Sequence, residues 1–203
     1  MSESENNDPR ARQKRDRQRL KQVGTRHGAA ALAALTLWGA GDAWATGSGW
    51  LLADIVSLLN AVFGGIVIAY LAHEWGHFAG ARTSGAVSPV LKEPRSFFMF
   101  NFRYDLNTRG QFLAMSMGGP AANWLLFIIL FLMVPLDTAS QALLQATVFG
   151  VAISVSVFEF PVINRVMYGE DPQETVDQRS REVGRYPRNV GLVAGLLFWL
   201  LAA

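Results

Sequence analysis

The chain has 203 residues, 51% hydrophobic and only 17% charged, with a formal net charge of +2 and no cysteine. The charged share falls well below the quarter or so usual in soluble domains, and the apolar residues gather in long blocks rather than spreading as a soluble core would. Without cysteine there is no disulfide framework and no thiolate metal site, so any metal must be held by histidine and carboxylate.

Residues 1–27 are polar, acidic at Glu3 and Glu5, then basic at Arg10, Arg12, Lys14, Arg15, Arg17, Arg19, Lys21 and Arg26. Such a segment suits an arm for nucleic acid or anionic lipid, or a cytoplasmic tail that orients a first membrane helix. No other motif suggests nucleotide or nucleic-acid binding, so the tail is the reading taken; its start is expected to be disordered and the part near Arg17–Val23 helical. Residues 28–45 (GAAALAALTLWGAGDAWA) form a short apolar block. With Ala43-Trp44-Ala45 it also fits a cleavable signal, but the long basic flank and the nearby Asp42 favour a retained helix. Residues 51–82 carry a stronger block; its first 22 residues would span about 33 Å, enough for a bilayer. Its helical pattern runs on to Arg82. Further blocks cover 112–134, ended by Pro135, and 141–163, broken late by Glu159 and Pro161; 190–203 is short for a crossing.

The expected fold is therefore an all-α multi-pass membrane protein with about five transmembrane helices (28–45, 51–82, 112–134, 141–163 and 190–203), one membrane domain over 28–203. Loop 83–111 carries Lys92, Arg95, Arg103 and Arg109, and loop 165–189 carries Arg165, Arg179, Arg181, Arg185 and Arg188. The short connections carry no Lys or Arg, so five crossings put every basic segment beside the N-terminal tail, on the cytoplasmic side. A bacterial cytoplasmic membrane is the expected location. Residues 86–104 (AVSPVLKEPRSFFMFNFRY), rich in Phe and Val and punctuated by Pro89 and Pro94, predict a membrane-associated β-hairpin. Its edge suits an added substrate strand; alternatively Phe97, Phe98, Phe100 and Phe102 anchor it in the interface.

The second helix contains His73-Glu74-Trp75-Gly76-His77. Residues four apart share a helix face, so His73 and His77 can offer imidazole nitrogens to one metal ion. Glu74 lies on the adjoining face, placed to act as general base toward a zinc-activated water. Ionisable residues in an apolar helix are costly and are by default functional; the alternative is a satisfied polar cluster between packed helices. Gly76 and Gly80 leave room for a close neighbour.

The segment YLAHEWGHFAGA (Tyr70–Ala81) resembles the zinc helix of the site-2 protease family of intramembrane metalloproteases. Gly119, Pro120 and Asn123 match the Gly-Pro-x-x-Asn pattern that family carries in its next helix. The resemblance covers roughly residues 60–171. It implies zinc as cofactor, and a transmembrane protein as substrate. Asn123 would then hold the substrate backbone or oxyanion, or make a helix-packing hydrogen bond. The chain departs from the family at the third ligand, because no Leu-Asp-Gly motif is present. A catalytic zinc takes three protein ligands, so another carboxylate is expected. Glu159 is the first choice, since an unpaired carboxylate in an apolar block beside Pro161 is costly. Asp171, in the turn Gly169-Glu170-Asp171-Pro172, is the second. The function expected is intramembrane zinc endopeptidase, with a catalytically silent membrane scaffold and a hydrolase of lipid amides as alternatives.

Overall fold

The computed structural model describes residues 9–95 and 98–203. Glu3, Glu5 and Phe97, which carry expectations above, lie outside the described residues. The described chain is α1 (Pro9–Ser48), α2 (Leu51–Thr83), β1 (Val90–Arg95), β2 (Phe98–Phe100), a 3-10 turn (Tyr104–Leu106), α3 (Arg109–Met133), α4 (Ala139–Met167), α5 (Pro172–Val183) and α6 (Tyr186–Ala202).

Three helices, α2, α3 and α4, are long and apolar enough to cross a membrane; α6 is apolar but has only 17 residues. The block 28–45 does not form a helix of its own. It is the second half of α1, a continuous helix of 40 residues that begins in the basic segment. The reason lies in tertiary packing: Leu20 and Val23 join Phe78, Val90 and Met99 in one apolar cluster, so the tail has a surface to fold against. Loop 165–189 also differs from expectation, because it contains α5. Asp171 caps that helix, its carboxylate accepting from the Glu174 N–H at 2.9 Å, and Pro172 occupies the first turn.

Helix α2 is the centre of the bundle, packing against α1, α3 and α4. A Cβ on Gly76 would collide with the Gly118 carbonyl, and one on Gly80 with the Ala114 carbonyl, so α2 and α3 touch backbone to backbone. At the opposite end, Asp42 of α1 accepts from the Thr138 hydroxyl at 2.8 Å and the Gln141 amide at 3.2 Å, bracing the capping box that starts α4. Pro161 cannot donate to the Val157 carbonyl one turn back. Arg179 of α5 does so instead, at 2.8 Å, which ties α5 to α4.

The hairpin expected in loop 83–111 is present. β1 and β2 pair antiparallel with Val90 opposite Phe100, and N–H groups of Asn101 and Arg103 extend the pairing to the carbonyls of Pro89 and Val87. Phe100 and Phe102 turn inward, Phe100 onto Phe78 and Phe102 onto Phe112, with ring centroids 5.5 and 6.1 Å apart. Of the described phenylalanines in the expected anchor, Phe98 is the exposed one. The outer edge of β1 is occupied at Val90. Asp16 of α1 accepts the Val90 N–H at 2.8 Å and Arg19 donates to the Val90 carbonyl at 3.3 Å. The Met99 N–H, beside the register shift in the pairing, donates to Glu74 at 2.9 Å.

Candidate metal centre

Histidines four apart on α2 project toward α3 and α4, where Gly119 and Glu159 meet them. Nε2 of His73 and Nε2 of His77 lie 3.0 Å apart, and Glu159 Oε1 lies 3.0 Å from the first and 3.2 Å from the second. Among the described residues these three side chains form the one cluster with metal-ligating spacing. A tetrahedral ion with ligands at about 2.0–2.1 Å holds them roughly 3.3 Å apart, so the observed triangle needs only slight opening to hold one.

The far side of each ring decides what the near side presents. His77 Nδ1 donates to the Met115 carbonyl at 2.8 Å. Asn123 donates its amide hydrogen to the Ala69 carbonyl at 2.9 Å, which turns its Oδ1 toward His73 Nδ1 at 2.7 Å. An amide oxygen only accepts, so His73 Nδ1 carries the proton. A ring that is neutral with its proton on Nδ1 aims a bare Nε2 lone pair at the point where the Glu159 carboxylate oxygen also lies. Contacts of 3.0–3.2 Å among these atoms are relieved either by a proton on one Nε2, shared with Glu159, or by a metal ion between all three. Glu159 Oε2 is buried without a hydrogen-bond partner, a second sign of a carboxylate awaiting a positive charge. Gly119 supplies the space: a Cβ there would sit 2.5 Å from the His77 ring and 2.7 Å from the His73 ring. Ligand types, spacing and cradle could accommodate a metal ion.

Glu74 is buried beside this cluster, with Oε1 held by the hairpin through the Met99 N–H. Asn123 is fully buried and both its polar atoms are engaged. These contacts match the helix-packing alternative given above for Asn123, and the amide orients His73, the task a carboxylate often performs behind a metal-ligating histidine. Asp171 is exposed and spent on the α5 cap, away from the cluster. The third histidine, His27, accepts from the Trp75 indole at 3.2 Å and takes no part.

Sequence reasoning missed four contributors. They are the carbonyls of Met115 and Ala69, the Met99 N–H and the cradle at Gly119. The first three are backbone groups and leave no residue-type signal. Gly119 had one, since two adjacent glycines before a proline in an apolar helix mark a surface that something approaches closely. No protein family, curated protein or solved structure matches this chain.

Proposed function

We propose that this chain is an intramembrane zinc metalloendopeptidase. The observation that carries the reading is the convergence of His73, His77 and Glu159 at metal-ligating spacing, with Glu74 beside them. His73, His77 and Glu159 would hold the ion. A zinc ion in a three-ligand site supplies Lewis acidity and an acidified water. The chain's own residues do the rest. Glu74 takes a proton from the attacking water; the water oxygen bonds to the peptide carbonyl carbon, the C–N bond breaks, and the proton passes to the leaving nitrogen. Asn123 and the Met115 carbonyl keep both imidazoles in the tautomer that presents Nε2.

The hairpin gives this reading a peptide substrate. A membrane helix must unwind before its amides can be cut. An extended segment laid along β2 would add a strand to the hairpin beside the cluster, and release of Glu74 from the Met99 N–H would free that carboxylate for proton transfer. In this reading α1, α2, α3, α4 and α6 supply five crossings. The N-terminus and loops 83–111 and 165–189 face the cytoplasm, and the metal centre sits near that face. One observation favours the silent scaffold instead: Glu74 is engaged by the hairpin rather than free.

Metal analysis and a cleavage assay on the same preparations separate the two. The wild type should carry about one zinc per chain, and His73→Ala/His77→Ala should carry none. Glu74→Gln should keep the metal and cut no membrane-embedded substrate that the wild type cuts. Equal zinc in wild type and double variant would remove the metal centre. Cleavage undiminished in Glu74→Gln would remove the mechanism. Zinc retained with no cleavage by any form would leave the scaffold.

A further inference from the structure

A cleft of about 410 Å³ opens on the bundle surface away from the metal centre, between α2 and α6 and floored by α4. Its origin is the packing of α6. A Cβ on Gly150 would lie 2.7 Å from the Gly191 carbonyl, and one on Gly195 would lie 2.8 Å from the Ala146 carbonyl, so α6 is drawn tightly onto α4. It consequently stands off from α2. The walls are Val62 and Ile66 on one side and Leu192, Leu196 and Trp199 on the other.

The cleft is polar at one end only. Trp199 donates its indole N–H to the Ala139 carbonyl, at 3.0 Å, which marks the start of α4 and the apolar end. At the other end Tyr70, Ser154 and Arg188 join the lining. Eleven residues of helix separate Arg188 from Trp199, or about 16 Å. Arg165, Arg179 and Arg109 spend their guanidinium groups on Glu170, the Val157 carbonyl and the Gly169 carbonyl. Arg188, by contrast, has no hydrogen bond or ion pair with any described residue.

An occupant must therefore be apolar for most of its length and anionic at one end. A transmembrane helix, apolar along its length, would leave the Arg188 guanidinium unanswered, whereas a lipid phosphate answers it. We infer that this cleft is a binding site for an anionic phospholipid, with an acyl chain along α4 and the phosphate at Arg188. Basic side chains between helices at a cytoplasmic interface recognise such headgroups, and Arg188 stands at the polar end of this cleft. The inference needs no metal and stands apart from the peptidase reading.

Trp199 at the chain end provides the readout. The protein is reconstituted in phosphatidylcholine vesicles containing either phosphatidylglycerol or phosphatidylcholine brominated on the acyl chain. Quenching of tryptophan fluorescence is recorded, and the signal that remains in Trp199→Phe is subtracted. Half-quenching should need about fivefold less of the brominated phosphatidylglycerol, the preference expected of one basic side chain near the membrane surface. Arg188→Gln should abolish that preference, Arg188→Lys should keep most of it, and Arg185→Gln, outside the cleft, should leave it intact. Equal half-quenching by the two lipids would overturn the assignment. So would equal losses in Arg188→Gln and Arg185→Gln, which would reduce the effect to general surface charge. Displacement of the brominated lipid by a single-span helical peptide would assign the cleft to a protein helix instead.

Discussion

Replacing Gly119 by alanine tests the metal centre without touching a ligand. The new methyl carbon would sit 2.5 Å from Cε1 and Nε2 of His77 and 2.7 Å from Cε1 of His73. Carbon atoms at rest stay about 3.5 Å apart or more, so one or both rings must retreat by up to about 1 Å. The rings can move only by leaving the Met115 carbonyl and the Asn123 amide that hold them, and metal–ligand distances tolerate changes of only about 0.2 Å. Overpacking of this kind costs about 1–3 kcal/mol. Because the flexible contact is the ring pair, most of that cost should fall on metal binding, a loss of roughly 5- to 150-fold in affinity. Purified protein in detergent, competed against a chromophoric zinc chelator, gives the affinity; thermal unfolding of the metal-free form reports the fold. Gly28→Ala is the control, because nothing lies within 4 Å of a Cβ there. The reasoning fails if Gly119→Ala binds zinc as tightly as the wild type.

Two further tests follow from the same geometry. Glu159→Ala should lower zinc affinity and any proteolysis together, by at least about tenfold, since a direct ligand should matter no less than the groups behind it; Asp171→Ala should only fray α5, by about 1 kcal/mol. Intact zinc binding in Glu159→Ala, measured by the same chelator competition, would exclude the third ligand. Because the chain lacks cysteine, single cysteines report topology cleanly. Exposed Ser48 and Ser180, replaced one at a time, should react with a membrane-impermeant maleimide from outside and only after permeabilisation, respectively; the reverse pattern would invert the orientation.

What the amino-acid sequence determines by itself is local and periodic. Apolar blocks longer than a bilayer is thick announce α2, α3 and α4, and the four-residue spacing of His73 and His77 puts both rings on one face whatever the fold. Pro89, Pro94 and the surrounding Val and Phe announce the hairpin, for a helix cannot run through that spacing of prolines. These features depend on nearest neighbours along the chain. The remainder depends on which helix faces meet, and no residue type records that. The helical tail of α1 exists because Leu20 and Val23 find the hairpin beneath them, and α5 because Asp171 caps it and Arg179 reaches the carbonyl that Pro161 leaves open. The candidate centre is the strongest case. Glu159 lies 82 positions beyond His77 and Asn123 lies 50 beyond His73, yet both partners come within 3.2 Å. Only the close approach of α2 to α3 at Gly76 and Gly118, with α4 seated beside them, brings those groups together. Packing at backbone distance turned a two-histidine motif into a three-donor site, because metal geometry is a property of points in space rather than of spacing along a chain.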